Sequence, residues 1–306
     1  MSDIDVVIVG GGVAGSSAAL TAARFGLRTV MLAPDGPMGA LAAVDRIEGA
    51  PGLEDVSGYD LCPTLHAQAI EAGTEVRTSS ARAIAKNGEE WELSCESGTI
   101  SARAVIVASG TNGARLDVPG EAQLQGRGVS DCASCDGPIF RGMDVAVVGG
   151  GDSALQETLT LLGHRVGVTL VQLQDAFTAQ DTYISRVSAN RSVKVRFHTR
   201  VLEILGSERV SGVRLLDEST QAVEEIAVAG VFVYVGRNPV TSWLTSLHVL
   251  DETGHVVTDG TLATCEKGLF AAGDVRAGSP GQATTAMGDG VSAATAAYRY
   301  LSTATR

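Results

Sequence analysis

The sequence predicts an α/β protein built from two Rossmann-like domains, and three observations carry that prediction. An apolar strand runs into a glycine-rich turn at Gly10–Gly15. The same grammar returns at Gly149–Ala154. A short apolar run ending in an acid, Gly268–Asp274, follows late in the chain. At 306 residues the chain is about twice the usual single-domain length, which also points to two domains.

Residues 4–9 form a β-branched apolar run, the pattern of a strand buried on both faces. Gly10-Gly11-Gly12-Val13-Ala14-Gly15 follows at once, then an Ala-rich helical stretch to about Phe25 and a second parallel strand at Thr29–Leu32. Thr74–Ala81 and Glu90–Cys95 read as strands of a small antiparallel layer, and Ala104–Gly110 as another buried strand ending in glycine. The second unit opens with a strand at Asp144–Val148, a turn at Gly149-Gly150-Gly151-Asp152-Ser153-Ala154, a helix over Leu155–Leu162 and a strand at Val168–Leu173. Later strands are expected at Val201–Leu205, Val210–Leu216 and Val231–Val235, and a closing helix at Ala283–Leu301.

Hydrophobic residues make up 44% of the chain, enough for packed cores and against disorder. The net charge of −12 disfavours nucleic acid and anionic membranes as partners. No apolar run approaches the roughly 20 residues of a membrane span. The N-terminus has no basic leader and enters a strand directly, so a cytoplasmic location is expected. Five cysteines do not make a disulfide framework in a chain this long. Cys62, Cys95 and Cys265 are isolated and expected as buried structural thiols, whereas Cys132 and Cys135 form the one close pair.

The chemistry of each motif follows from its spacing. A pyrophosphate needs bare backbone N–H groups at a helix N-terminus. Gly10 permits the tight turn, Gly12 lets backbone meet phosphate, and Gly15 lets the helix sit close to the strand. A tight turn with no ligand remains the alternative for any single GxGxxG. In Ser130-Asp131-Cys132-Ala133-Ser134-Cys135-Asp136-Gly137, the CxxC spacing allows a short disulfide to open and close, with Asp136 beside it to hold or return a proton. CxxC is also half of a zinc site. His164 and His198 stand alone and there is no second CxxC, so no metal is expected.

Taken together, these motifs resemble the low-molecular-weight thioredoxin reductases of the pyridine nucleotide–disulfide oxidoreductase family. The resemblance covers nearly the whole chain: GGGVAG at 10–15, RIEGAPG at 46–52, VASG at 107–110, CASCDG at 132–137, GGGDSA at 149–154, VGRNP at 235–239 and GLFAAGDV at 268–275. It implies two three-layer ββα domains of the FAD/NAD(P) type, the second inserted in the first. An FAD-binding domain would span 1–117 and 246–306, and a pyridine-nucleotide-like domain carrying the redox pair would span 118–245. It further implies FAD held by Gly10, Gly12, Ala14, Gly15, Gly39, Leu41, Gly110, Gly273, Asp274, Gln282 and Ala283. Cys135 would face the flavin, Cys132 would attack the partner disulfide, and the chain would form a homodimer.

The pattern breaks in places. Relatives carry an HRRxxxR-type segment after the second glycine turn, whose arginines grip the 2′-phosphate of NADPH. Here that segment reads Gln172-Leu173-Gln174-Asp175-Ala176-Phe177-Thr178. The strand end that would take the first adenosine ribose carries Ala33, and Ala40 (in Gly39-Ala40-Leu41), Gly49-Ala50 and Gly281 replace larger family residues. NADPH use is therefore not expected. The second turn, with Gly149, Gly151, Asp152, Ser153 and Ala154, is left for another nucleotide or a second FAD.

Three functions fit these residues. The first is a reductase of a thioredoxin-like protein or small disulfide, fed by ferredoxin or a flavin. The second is a dithiol oxidase passing electrons to oxygen. The third is a flavin-binding redox sensor.

Overall fold

A computed structural model describes residues 3–36 and 38–303. In chain order, the principal elements begin with β1 (Val6–Val9), α1 (Val13–Arg24), β2 (Thr29–Leu32), α2 (Gly58–Glu71) and β3 (Glu75–Arg77). Next come β4 (Ala81–Asn87), β5 (Glu90–Cys95), β6 (Gly98–Ala102), β7 (Ala104–Val107), β8 (Val129–Ser130) and α3 (Ala133–Asp136). They continue with β9 (Asp144–Val148), α4 (Asp152–Gly163), β10 (Gly167–Val171), α5 (Asp181–Ser188), β11 (Val193–Arg196) and β12 (Thr199–Gly206). The last are β13 (Val210–Asp217), β14 (Val223–Ile226), β15 (Gly230–Val233), β16 (Leu269–Ala271) and α6 (Ala283–Thr303).

The chain divides into two units. One runs up to Asn112 and resumes at Asn238; the other is Gly113–Arg237. The family resemblance implies boundaries at 117/118 and 245/246.

In the first unit a parallel sheet has the order β16-β7-β1-β2-β3. Alternate residues of its central strands point to opposite faces. On one face Ile8, Ile106 and Phe270 pack against the alanine stripes of α1 and α6, among them Ala14, Ala18, Ala293 and Ala297. On the other, Val7, Val9, Val105 and Val107 meet Ile84, Trp91, Leu93 and Ile100 of the antiparallel β4-β5-β6 layer. Burial on both sides is why these strands read as unbroken apolar runs. Small residues let the helices approach closely: a Cβ on Gly290 would overlap the carbonyl oxygen of Ala14.

The second unit repeats the three layers. Its parallel sheet runs β11-β10-β9-β15-β8. Leu155, Leu161, Tyr183 and Val187 of α4 and α5 cover one face, and β12-β13-β14 cover the other with Ile204, Val213 and Leu215. Both units are the expected ββα sandwiches around a parallel sheet.

Three details depart from the sequence reading. Of the expected strand Thr74–Ala81, only Ala81 joins the antiparallel layer. Glu75–Arg77 pairs in parallel with β2, because α2 is the crossover that returns the chain to that sheet. The antiparallel layer is instead completed by Ala81–Asn87 and Gly98–Ala102 around Glu90–Cys95. Cys62 is buried, but Cys95 is half-buried and Cys265 is exposed, its Sγ 3.6 Å from the carbonyl oxygen of His248.

Candidate redox and dinucleotide-binding sites

The first glycine turn is shaped by backbone contact. Gly10 has φ +122°, and a Cβ there would overlap the carbonyl oxygen of Ala108 at the exit of β7. A Cβ on Gly15 would overlap the carbonyl oxygen of Gly10. Gly12 is the N-cap of α1, in extended backbone, and no side chain caps the helix.

Two further sequence-assigned residues, Gly39 and Gly273, converge on the same helix end. A Cβ on Gly39 would lie 2.8 Å from the Cα of Gly12, and one on Gly273 would lie 2.8 Å from the Cβ of Ala14. Glycine at 39 and 273 leaves backbone against this helix end where a side chain would collide. A glycine-lined cradle on an uncapped helix N-terminus fits the pyrophosphate of FAD, through amide donors and the positive end of the helix dipole.

Asp274 follows the Gly273 turn and accepts a hydrogen bond from Ser279 Oγ at 3.1 Å. Gln282 is exposed at the start of α6, where Ala283 is the first helical residue. Gly110 lies beyond β7 with φ +66° and open space on its Cβ side. The Leu41 carbonyl abuts Gly58, the first residue of α2, where a Cβ would not fit.

Sequence reasoning missed what holds this region. Asp289 of α6 accepts from the N–H of Gly273 at 3.1 Å and from Arg276 Nε and Nη2 at 2.6 and 3.2 Å. GDVR followed 13 residues later by Asp is the only signal available, and it names no contact.

In the second unit Cys132 and Cys135 are joined in a disulfide, with Cα atoms 5.4 Å apart. Cys132 is half-buried and Cys135 exposed. Cys132 is the N-cap of α3: its Sγ accepts from the N–H of Cys135 at 3.2 Å, and its own N–H donates to Ser130 Oγ at 3.1 Å. The Asp136 N–H donates to the Cys132 carbonyl at 3.1 Å, closing the turn one residue after Cys135. Glu157 and Tyr234, which the sequence did not single out, lie against the same turn. Glu157 Oε2 accepts from Ala133 N–H at 2.9 Å and from Tyr234 Oη at 3.5 Å.

The second glycine turn copies the first in its steric logic. Gly149 has φ +134°, and a Cβ there would overlap the Tyr234 carbonyl; Ala154 packs beside it, and Gly151 caps α4 in extended backbone. Ser153 is exposed at the start of that helix. The segment after β10 folds onto the turn with uncharged groups. Thr178 N–H donates to Gly150 O at 2.9 Å, and the Asp152 carboxylate accepts from the N–H and Nε2 of Gln180, both at 2.7 Å. Gln172 is buried against Gly150, its Nε2 donating to Ala176 O at 3.1 Å and its Oε1 accepting from Leu173 N–H at 3.2 Å. The arginines on the neighbouring strands are paired, Arg196 with Glu224 at 3.3 Å and Arg200 with Glu218 at 2.7 Å.

Among the described residues no cluster of His, Cys, Asp or Glu is placed to hold a metal ion, and no helix is long and apolar enough to cross a membrane.

Comparison with known proteins places these features. The family described as pyridine nucleotide-disulphide oxidoreductase matches residues 4–290. The chain is 37% identical over 303 residues to the thioredoxin reductase of Treponema pallidum, covering 99% of this chain and 98% of that one. Among solved structures, thioredoxin reductase from Lactococcus lactis superposes with a TM-score of 0.96 at 34% identity, covering 98% of this chain and all of that one. A ferredoxin-flavin thioredoxin reductase from Clostridium acetobutylicum matches less well, with a TM-score of 0.54 at 26% identity, covering 100% and 99%.

Proposed function

The chain belongs to the pyridine nucleotide-disulphide oxidoreductase family, as a thioredoxin reductase-like, FAD-dependent disulfide oxidoreductase, and we propose that it reduces a thioredoxin-like protein or a small disulfide through Cys132 and Cys135. The observation that carries this reading is the disulfide itself, half exposed on a four-residue helix with a carboxylate beside it. FAD, when held at Gly10, Gly12, Gly15, Gly39 and Gly273, supplies a two-electron carrier. Gly110, Leu41, Asp274, Gln282 and Ala283 would line the rest of its site.

The protein's own groups do the exchange. Cys132, as thiolate, attacks the partner disulfide, and its charge is met by the N–H of Cys135. Cys135 then resolves the mixed disulfide, releasing the partner dithiol and restoring the Cys132–Cys135 bond. Asp136 keeps or returns the proton that the attacking and leaving thiols exchange. Opening the pair again takes two electrons and two protons.

The electron donor in this proposal is not NADPH but ferredoxin or a flavin, including a second FAD at Gly149, Gly151, Asp152, Ser153 and Ala154. The support is electrostatic. Gln172, Gln174 and Thr178 carry no charge, Asp175 is negative, and Arg196 and Arg200 on the adjoining strands are paired with glutamates. Charge-assisted bonds contribute about 1.5–3 kcal/mol each, so the absence of two weakens NADPH at least about a hundredfold. A solved relative from Clostridium acetobutylicum, called a ferredoxin-flavin thioredoxin reductase, supports ferredoxin or flavin as the donor in this reading. A homodimer in the cytoplasm completes the proposal, and sedimentation at micromolar concentration checks the assembly.

Anaerobic mixing with NADPH, NADH and reduced ferredoxin in parallel tests the donor. Flavin bleaching by ferredoxin and not by NADPH is expected. Full bleaching by NADPH within a second overturns the donor assignment, and peroxide formation on adding dithiols shifts the reading to a dithiol oxidase.

A further inference from the structure

Below the redox turn lies a carboxylate that the exchange just described does not use. Glu157 sits on α4, 24 residues from Ala133, and is buried. Its Oε2 takes the N–H of Ala133, the amide that directly follows Cys132, and the same oxygen receives the Tyr234 hydroxyl. Ala133 is itself fully buried, so without Glu157 its N–H would face the interior unpaired.

We infer that Glu157 is a positioning residue for the Cys132–Cys135 pair: it anchors the turn through Ala133 and, as a buried carboxylate one amide away, opposes negative charge on the Cys132 sulfur. The inference rests on reading the pair as the redox centre.

The geometry gives two separable effects. Anchoring needs only an acceptor, which glutamine also supplies. Opposing the thiolate needs charge, which glutamine lacks. Other ionisable groups near the turn are Asp131, Asp136, His164, whose ring abuts Gly137, and Tyr234. Burial, then the charges of Glu157 and Asp131, push the Tyr234 hydroxyl well above the ordinary tyrosine range, so it stays a donor. Asp131 and Asp136 are less buried than Glu157 and better screened by water. Glu157 is therefore the least water-screened carboxylate at this turn.

The test uses the flavin-loaded protein and the variants Glu157→Gln and Glu157→Ala. Dithiothreitol opens the pair: it gives up two electrons and two protons and closes its own ring disulfide. The pH dependence of alkylation at Cys132 is then followed by mass spectrometry, and the pair's potential is read against dithiothreitol redox buffers. Glu157→Gln is expected to fold, retain flavin and shift the alkylation midpoint down by about one pH unit, with a less negative potential. Glu157→Ala is expected to slow exchange as well, because the anchor is gone.

A Glu157→Gln profile superimposable on the unsubstituted protein overturns the inference, even if Glu157→Ala melts earlier, since melting alone reports packing. A parent protein whose disulfide dithiothreitol cannot open overturns the redox reading itself and this inference with it.

Discussion

Removing the carboxylate of Asp289 should release FAD. That carboxylate receives three donors: the Gly273 N–H and two nitrogens of Arg276. Both side chains are largely withdrawn from water, with exposures of 17% for Arg276 and 13% for Asp289. Truncating one partner of a fully buried pair costs about 3–5 kcal/mol, because the other charge is left uncompensated. The residual exposure here lets water recover part of that, leaving about 2–3 kcal/mol. Gly273 holds φ +77° against Ala14, so the turn has little freedom to find another acceptor.

If that cost falls on the flavin-holding conformation, Asp289→Ala weakens FAD by about 30- to 150-fold. The assay is the flavin-to-protein absorbance ratio after gel filtration, with FAD titrated back by fluorescence quenching. A second variant separates charge from geometry. Arg276→Met with Asp289→Leu removes both charges and should recover most of the thermal stability. It should not recover flavin retention, since the Gly273 N–H still lacks its acceptor. Full FAD retention in Asp289→Ala would refute the reasoning, because it would show that the turn is held without this contact.

Two more outcomes follow from the sites. Cys132→Ser and Cys135→Ser should each abolish disulfide turnover while FAD stays bound, since exchange needs one sulfur to attack and one to resolve. Loss of a thiolate–flavin charge-transfer band only in the Cys132 variant would swap their roles. Asp5 gives a pH signature. Burial pushes its carboxyl up, but hydrogen bonds and charge from Arg28, with a further bond from Arg103, hold it below the ordinary carboxylate range. A folded value below the unfolded one, about 3.9, means this stabilisation is present above roughly pH 4 and lost as pH falls through the folded value. Asp5→Asn should lower Tm at pH 7 and flatten the decline of Tm below pH 4; parallel Tm-against-pH curves would count against it.

The parts legible in the sequence were those fixed by local sterics. Gly10, Gly15 and Gly149 exclude a Cβ because of backbone atoms at strand ends, and the strand-turn-helix spacing alone announces that requirement. The same holds for Cys132 and Cys135, three residues apart. The parts that stayed hidden depend on side chains meeting across the fold. Glu157 reaches Ala133 from another helix, and Asp289 reaches Gly273 from α6. Nothing in either local pattern distinguishes a buried acceptor from a solvated acid. That Glu75–Arg77, within the predicted strand Thr74–Ala81, meets the parallel sheet stayed hidden for a related reason: a run of three residues is too short to say which sheet it joins.

The two glycine turns also show where ligand choice is decided. In each unit the residue after the second strand lies over the middle glycine: Ala33 over Gly11, and Gln172 over Gly150. The cradle is therefore generic, and discrimination must come from side chains beyond that strand. Leu173, Gln174 and Thr178 are all exposed there, so longer side chains can project from them without disturbing the core. The backbone bond from Thr178 to Gly150 does not depend on the side chain. Replacing the three together by arginine should build a 2′-phosphate site and raise NADPH affinity by at least about a hundredfold, at about 1.5–3 kcal/mol per charge-assisted bond. NADH affinity should hardly move, since it lacks that phosphate. Titration of both nucleotides against parent and variant decides the matter. A variant that binds both no better than the parent would mean that the turn rejects pyridine nucleotides for a reason other than charge. Equal gains for both would mean that the arginines act as a general anion patch, and the assignment of these positions to the phosphate would be wrong.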